Sequence, residues 1–207
     1  SLTGTLGAVL VAEGALDENK RVADYIPELR DSAFGDATVR QVLDMTTALQ
    51  FSEDYADPKA EIWQYSAAGN PLPKPKGYAG PVGYHAALQT IKKGGVHGEA
   101  FGYKTPNADV MGWLVARASG KAVGELLAER VWRRIGMEQD AYYSVDELGT
   151  PFAGGGFNAG LRDMARFGEL IRTGGEVGGR QVLARQAVQR VLATPPGDNQ
   201  ALLSRAG

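Results

Sequence analysis

The sequence predicts a fold built mostly of α-helices with very little β-strand, and two observations support this. Apolar residues recur at three- and four-residue spacing along most of the chain, and several of these segments end at glycines such as Gly14 and Gly120. Only residues 141–145, Ala-Tyr-Tyr-Ser-Val, have the composition of a strand. Such a chain is either a self-contained helical domain or the helical lobe of a larger α/β protein.

Helices in the first half of the chain are predicted from their apolar spacing and their caps. Residues 2–12 carry leucine and valine at helical spacing and are followed by Gly14. Thr38 and Gln41 have the spacing of a capping box, which predicts that a second helix begins just after the threonine. Asp57–Pro58 is a carboxylate cap followed by proline, and it predicts a third helix from that proline onward.

Residues 69–83 are a Pro- and Gly-rich stretch that predicts a long surface loop of the kind that often carries function. Helical spacing then returns, and Leu161, Met164, Phe167 and Ile171 predict the core-facing side of one strong helix. We find no internal repeat and no interdomain linker in the sequence. That helix is predicted over residues 159–173, and the further helices over residues 84–93, 110–120, 121–135 and 184–193.

The composition excludes several classes of function. The 207 residues include 22 Lys plus Arg and 24 Asp plus Glu, a net charge of -2 that offers no basic surface for nucleic acid or an anionic membrane. The absence of cysteine removes disulfides, thiolate metal sites and cysteine nucleophiles, and two histidines leave little material for a metal cluster. Any catalysis must therefore use oxygen or nitrogen groups.

Three familiar kinds of site are not supported by the residues. Gly154–Gly156 precedes a helix, as phosphate-binding loops do, but the Lys-Ser/Thr pair of a P-loop and the GxGxxG spacing are missing. His85 and His97 are far apart in the sequence and are interpreted as ordinary surface or hydrogen-bonded histidines. No serine lies in a Gly-x-Ser-x-Gly sequence, so a Ser-His-Asp triad cannot be read from the chain.

The segment 103–107, Tyr-Lys-Thr-Pro-Asn, is a stronger candidate. It places several polar side chains on a proline-containing turn at the entry to a predicted helix, where the backbone cannot swing easily. The residues by themselves leave two interpretations open. One is a functional site, and the other is a tyrosine whose ring packs into the core with its hydroxyl bound to the backbone.

Four segments occur in an order that is typical of one enzyme family. They are GTLGAVLVAEGALDENKRVADYIPEL, ATVRQVLDMTTAL, FGYKTPNADVMGWLVARASGK and FAGGGFNAGLRDMARFGELIRTGG. In these segments the chain resembles the class C β-lactamase-like serine hydrolases, which include penicillin-binding esterases. The strings MTTAL, SEDYADP and YKTPN resemble in particular the 6-aminohexanoate-dimer hydrolases, which cleave linear nylon oligomers. The resemblance implies an α/β fold of the β-lactamase/transpeptidase type, of which this chain is mostly the helical lobe.

The resemblance also implies that residues 1–207 are an internal fragment of a single β-lactamase-related domain. Members of the family acylate a serine in a Ser-x-x-Lys motif at the start of the first helix. Ser1 does not fit, because Gly4 stands where the lysine would be, so the motif is expected just before residue 1. The late His/Lys-x-Gly strand of the family has no counterpart in Thr194–Gly207, so the C-terminal sheet strands are also expected outside the fragment.

Tyr103 matches the tyrosine of the family's Tyr-x-Asn motif, whose implied role is to carry a proton from the serine hydroxyl to the leaving amine. A free phenol has a pKa of about 10 and is a poor base at neutral pH, so the motif lysine is expected to stabilise the phenolate. Thr105 replaces the usual asparagine. A hydroxyl can replace one amide hydrogen bond but not both, so we expect no strong β-lactamase activity.

The resemblance implies three further substrate-binding residues. Tyr55 matches a tyrosine on a mobile loop that contacts the substrate amide, and the alternative is an exposed loop aromatic. Asn158 falls near a position that lines the cleft, and the alternative, which we favour, is that it caps a helix beginning at Ala159. Ser66 lies where an acidic residue can favour the cationic end of the oligomer, so its neutrality implies weaker oligomer binding.

The expected function of the whole protein is hydrolysis of a linear amide, such as a 6-aminohexanoate oligomer, or of an ester through an acyl-enzyme, with the fragment itself inactive. The alternatives are a broad-specificity carboxylesterase of the same family, a non-catalytic relative that keeps the pocket for binding, and a helical interaction domain. We expect no cofactor, no metal, a small-molecule substrate, no nucleic-acid or membrane partner and a cytoplasmic location. The sequence leaves a homodimer open.

Overall fold

The computed structural model describes residues 2–193, and the expectations for Ser1 and Thr194–Gly207 lie outside these residues. The described residues form helices connected by loops, with three two-stranded antiparallel sheets. The helices are α1 (Leu2–Ala12), α2 (Val22–Tyr25), α3 (Val39–Leu43), α4 (Glu61–Ala68), α5 (Tyr84–Thr90), α6 (Thr105–Ser119), α7 (Val123–Arg130), α8 (Leu161–Arg172) and α9 (Arg185–Leu192). The strand pairs are β1 (Leu49–Gln50) with β2 (Lys92–Lys93), β3 (Tyr142–Tyr143) with β4 (Phe157–Asn158), and β5 (Glu176–Val177) with β6 (Arg180–Gln181). The predicted predominance of helix is confirmed.

Helix α1 lies at the centre of the core, where α6 and α9 pack against it. Leu6 and Leu10 of α1 are 0% and 2% exposed. The approach of α6 is close, because a Cβ atom at Gly7 would lie 2.6 Å from the Sδ atom of Met111. A larger residue at this position would have to displace the Met111 side chain. Helices α1 and α6 are therefore in close contact.

Apolar side chains from most of the helices and loops meet in one core cluster. Its fully buried members include Phe34, Leu88, Leu114 and Leu170, which come from different elements. Burial of this kind is the main favourable contribution to folding. Among the described residues, no helix has both the length and the apolar character needed to cross a membrane.

Several predicted helix ends are confirmed where a local signal determines them. Helix α1 spans the predicted residues. The capping box of α3 is present, because Thr38 Oγ1 accepts a hydrogen bond from the Gln41 N–H (3.2 Å) and Gln41 Oε1 accepts one from the Thr38 N–H (2.9 Å). Helix α6 ends at Gly120, whose φ of 69° lies in the left-handed region that favours glycine.

Helix α6 begins at Thr105, so the predicted turn over residues 103–107 is wrong for its last three residues. Three other predicted helix bounds are wrong because local turns or strand pairing replace the helical path. Asp57 does not cap α4, since its Oδ1 accepts a hydrogen bond from the Lys59 N–H (2.9 Å) in a turn and α4 begins at Glu61. Helix α5 ends at Thr90, because β2 follows and pairs with β1. Helix α7 ends before Val131, whose φ of -128° leaves the helical region.

Helix α8 begins later than predicted, and its predicted core-facing side is confirmed only in part, because Phe167 and Ile171 pack against the core whereas the first two residues of that side do not. Asn158 lies in β4 and does not cap α8, whose N-cap is Gly160, so the predicted capping role is wrong. The predicted core-facing residues Leu161 and Met164 are 86% and 38% exposed. Asp163 is 1% exposed instead, because its carboxylate accepts hydrogen bonds from two backbone N–H groups in the loop before β3. These two bonds set the orientation of the first turn of α8.

Candidate active site

The segment that begins at Tyr103 lies at the start of the buried helix α6. This helix begins at Thr105, and every residue from there to Val115 is buried. Tyr103, two residues earlier, is 42% exposed. The N–H of Thr105 donates a hydrogen bond to the carboxylate of Glu53, which places a negative charge at the positive end of the helix dipole. Tyr103 is thus an exposed phenol carried by a helix that is held in the core.

An open depression of about 560 Å³ lies beside Tyr103. Its walls carry the carboxylates of Glu53, Asp54 and Glu61 and the cationic side chain of Lys104. Three carboxylates and one cation give the lining residues a net negative formal charge. The depression therefore favours a ligand with a cationic end.

Tyr55 lies on the loop that continues from this depression, and it is 63% exposed. Its ring meets the ring of Trp63 on α4 edge to face, with the centroids 5.7 Å apart. Trp63 Nε1 in turn donates a hydrogen bond to the carbonyl oxygen of Asp57 (3.0 Å). These contacts attach the loop to α4 while the Tyr55 side chain remains open to solvent.

The other three predicted site residues differ in exposure. Ser66 is exposed on α4, and Asn158 is exposed in β4, where its Nδ2 donates a hydrogen bond to the Gly156 carbonyl oxygen (2.8 Å). Neither of these two side chains lines the depression described above. Thr105 is only 7% exposed, and a Cβ atom at Gly154 would lie 2.6 Å from its Cγ2 atom. The methyl group of Thr105 therefore faces the interior.

Asp109 is a buried carboxylate that the sequence analysis missed, and it lies one turn along α6 from Thr105. It is 4% exposed, its Oδ2 accepts a hydrogen bond from the Tyr65 hydroxyl (2.7 Å), and its Oδ1 accepts one from the Gly154 N–H (2.8 Å). Burial raises the pKa of Asp109 to about 7, although the hydrogen bonds from Tyr65 and Gly154 oppose this shift. An acidic residue within the apolar run ADVMGWLVA is the signal that could have identified it.

A second buried polar contact joins α6 to the string MTTAL. Asn107 is 0% exposed, and its Oδ1 accepts a hydrogen bond from Thr47 Oγ1 (2.6 Å). The N–H of Gly102 donates to the carbonyl oxygen of Met45 (2.9 Å). The residues on both sides of Tyr103 are therefore bonded to the chain that follows α3.

Both histidines have structural partners. The His85 ring stacks on the Trp113 ring with centroids 3.7 Å apart, and burial lowers the pKa of His85. His97 Nε2 lies 3.1 Å from the Asp36 carboxylate, and its Nδ1 accepts a hydrogen bond from the Ala48 N–H (2.9 Å). These contacts agree with the interpretation of both as ordinary histidines.

The residues around Tyr103 present a phenol and several carboxylates to one open depression. An exposed phenol can exchange a proton with a bound ligand, and the acidic depression can orient a cationic end. No serine in the 207 residues is followed three positions later by lysine. Within residues 2–193, no three His, Asp or Glu side chains are grouped so that they could hold a metal ion.

Comparison with known proteins shows sequence similarity along almost the whole chain. The family model described as beta-lactamase matches residues 1–202. The chain is 35% identical over 193 residues to a 6-aminohexanoate-dimer hydrolase of Paenarthrobacter ureafaciens, an alignment that covers 93% of this chain and 48% of the relative.

Comparison with solved structures shows that the fold is similar as well. A Bacillus anthracis protein with a provisional assignment as a 6-aminohexanoate-dimer hydrolase superposes with a TM-score of 0.81 at 34% identity, over 95% of this chain and 54% of that protein. A penicillin-binding protein homologue from Caulobacter crescentus superposes with a TM-score of 0.65 at 19% identity, over 91% of this chain and 57% of that one, which shows a shared fold. The chain spans about half the length of the relatives it matches.

Proposed function

This chain belongs to the beta-lactamase family, and from that membership we propose that the whole protein is a serine hydrolase that cleaves a linear amide or an ester through an acyl-enzyme. Its fold is of the α/β β-lactamase/transpeptidase type, and the described residues are mostly helical, as expected of the helical lobe. A 6-aminohexanoate oligomer is the leading substrate in this proposal. Two relatives at 34% and 35% identity carry that substrate in their names, which supports the choice.

The proposal divides the reacting groups between this chain and the rest of the whole protein. The nucleophilic serine and its lysine belong to a Ser-x-x-Lys motif outside the 207 residues, because no such motif occurs within them. The strands of the larger sheet likewise lie outside. Residues 1–207 then form one part of a single domain and contribute the tyrosine and part of the substrate-binding wall.

Tyr103 acts as the proton carrier of the proposed mechanism. The serine oxygen forms a bond to the substrate carbonyl carbon while its proton passes to the Tyr103 phenolate, which the nearby lysine ammonium stabilises. The phenol then gives this proton to the leaving nitrogen or oxygen as the carbon–nitrogen or carbon–oxygen bond breaks. In the second half of the reaction, water attacks the acyl-enzyme, its proton passes through Tyr103 to the serine oxygen, and the acid is released.

The observation that carries the proposal is the position of Tyr103, which is 42% exposed beside a depression lined by carboxylates. The depression suits the cationic amine end of an aminohexanoate oligomer through Asp54 and Glu61. The exposed ring of Tyr55 is proposed to contact the substrate amide, and Ser66 and Asn158 are proposed as outer contacts. The low exposure of Thr105, 7%, supports the expectation of weak lactam recognition, because the side chain has little access to a ligand.

Replacement of Tyr103 by phenylalanine in the whole protein tests the mechanism. Tyr103→Phe keeps the ring and removes the hydroxyl, so kcat should fall by at least about 100-fold for both an ester and the oligomer, as expected for loss of a general acid–base group. Tyr25→Phe is the matched control, because it removes a tyrosine hydroxyl on α2 and should leave kcat unchanged.

Two outcomes would overturn the proposal. Unchanged rates in Tyr103→Phe would remove this residue from the mechanism. A whole gene product without a Ser-x-x-Lys motif would remove the nucleophile and would favour a non-catalytic protein that keeps the pocket for binding.

A further inference from the structure

The buried carboxylate of Asp109 is bonded to two segments that are distant in the chain. Its partner Tyr65 on α4 is 44 positions away, and its partner Gly154 in the loop before β4 is 45 positions away. The two bonds measure 2.7 Å and 2.8 Å and use different carboxylate oxygens. A single side chain therefore joins α6, α4 and the glycine-rich loop 153–156.

Each of these three segments carries residues of the proposed site. Helix α6 follows Tyr103, and its first residue is Thr105. Tyr65 is adjacent in sequence to Ser66, and α4 holds the loop of Tyr55 through the ring contact described above. The loop 153–156 continues directly into β4 and Asn158.

The glycine-rich loop is also bonded to α1. Thr3 Oγ1 donates a hydrogen bond to the carbonyl oxygen of Ala153 (3.1 Å). The same loop lies close to α6, because a Cβ atom at Gly112 would lie 2.7 Å from the Cβ atom of Ala153. The first turn of α1 and the first turns of α6 are thus held together through the loop that Asp109 binds.

Space around Gly154 is just sufficient for glycine. A Cβ atom there would lie 2.6 Å from Cγ2 of Thr105 and 3.1 Å from Oδ2 of Asp109. Contacts below 3.0 Å force one of the two elements to move, and here the nearest atom belongs to a buried side chain. A substitution at Gly154 therefore disturbs the same junction from the opposite side.

We propose that Asp109 is a positioning residue for the hydrolysis. Its carboxylate joins α4, α6 and the loop 153–156, and in this way it fixes the position of the Tyr103 phenol relative to the other segments of the site. This inference rests on the proposed function. Asp109 does not touch the substrate, so its effect on the reaction is transmitted through Tyr103. A displacement of a reacting group by about 1 Å can lower the rate about 100-fold.

A double-mutant cycle with Tyr103→Phe in the whole protein tests this role. Turnover of a small acetate ester is measured at a temperature where circular dichroism shows every variant to be folded. Asp109→Ala should lower kcat by about 100-fold in the wild-type background. In the Tyr103→Phe background it should lower kcat by less than about twofold, because the phenol it positions is already absent.

Two further variants probe the same junction. Asp109→Asn keeps an oxygen for the Gly154 N–H and places an amide near the Tyr65 hydroxyl, so kcat should stay within about threefold of the wild type. Gly154→Ala should lower kcat to a similar extent as Asp109→Ala, because it displaces Thr105 at the start of α6.

Asp163→Ala is the matched control. Asp163 is likewise a buried carboxylate that accepts hydrogen bonds from a distant segment, here two backbone N–H groups, and it is also paired with Arg166, but it holds α8 rather than α6. Its removal should lower the melting temperature and leave kcat of the folded protein unchanged. Equal losses of kcat from Asp109→Ala in both backgrounds, or a normal kcat in Asp109→Ala alone, would overturn the positioning role, whereas a normal kcat in Tyr103→Phe would overturn the proposed function instead.

Discussion

Tyr103 and Asp109 are two polar residues of the proposed site that differ in their exposure to solvent. Tyr103 is 42% exposed and can meet a ligand, whereas Asp109 is 4% exposed and is hydrogen-bonded to Tyr65 and Gly154. Removal of the buried carboxylate would leave the Tyr65 hydroxyl and the Gly154 N–H without an acceptor, which costs about 1–3 kcal/mol for each group. Buried polar groups of this kind therefore affect both stability and the geometry of the exposed phenol.

We predict that Asp109 makes the folded protein less stable as the pH rises from about 4 to about 7. Its pKa is raised to about 7 by burial in the folded chain, and it is about 3.9 in an unfolded chain. The folded state therefore holds a proton that the unfolded state has lost, and the free energy of unfolding falls as pH rises. One proton contributes at most about 1.4 kcal/mol for each pH unit. Urea unfolding of the whole protein at pH 4 to 8 measures this slope.

Asp109→Asn provides the comparison for the pH dependence. The titratable groups around Asp109 include Tyr65, Tyr84, His85 and Asp146, and all four remain in this variant. The difference in slope between the wild type and Asp109→Asn therefore reports Asp109 itself. Parallel curves for the two proteins would contradict the assignment.

Helix ends show which elements can be predicted locally. The capping box of α3 and the left-handed Gly120 after α6 are read correctly, because each depends on residues within one turn. The start of α4 is misplaced, since Asp57 forms a turn with Lys59 before the helix begins. A capping signal is therefore reliable only when the residues after it are free to continue as a helix.

The capping box of α3 leads to a stability prediction. Thr38→Ala removes the oxygen that accepts the Gln41 N–H, so the free energy of unfolding should fall by about 1 kcal/mol. Thr38→Ser keeps this oxygen and is the matched control, with an expected loss of only a few tenths of a kcal/mol. Urea unfolding measures both variants. Equal losses in the two would show that the hydroxyl does not stabilise the helix.

The described chain as a whole is a set of helices packed around α1, with the proposed site at its surface. This arrangement agrees with membership of the beta-lactamase family, and the two 6-aminohexanoate-dimer hydrolase relatives described above are about twice as long. The proposed reaction needs a serine and a lysine that the 207 residues do not contain in a Ser-x-x-Lys motif. The site formed by these residues is therefore proposed as one part of a larger active site.

We predict that residues 1–207 alone form no acyl-enzyme. Without an activated serine no covalent intermediate can accumulate, so a serine-directed phosphonate should add no mass to the polypeptide. The whole protein under the same conditions should gain one phosphonyl group. Circular dichroism checks that the 207 residues are helical during the assay, and stoichiometric labelling or burst kinetics would contradict the prediction.

The candidate site was predictable only in part. The strings around Tyr55 and Tyr103 and the likeness to a serine hydrolase family can be read directly from the chain. Asp109 could not be assigned a partner in this way, because Tyr65 and Gly154 lie 44 and 45 positions away. The exposure of Leu161 was not predicted, because the spacing of apolar residues does not show that the Asp163 carboxylate is buried and hydrogen-bonded to the backbone of another segment.

Residues close together in the chain were sufficient to establish the helical character, the cap of α3, the end of α6 and the family. These features depend on the spacing of side chains and on the order of short sequence motifs. Neither of these changes when the chain folds. Contacts between distant segments established the rest: the burial of Asp109, the inward methyl of Thr105 and the acidic depression beside Tyr103. Their physical origin is packing, because burial and electrostatic potential arise only when separate elements come together.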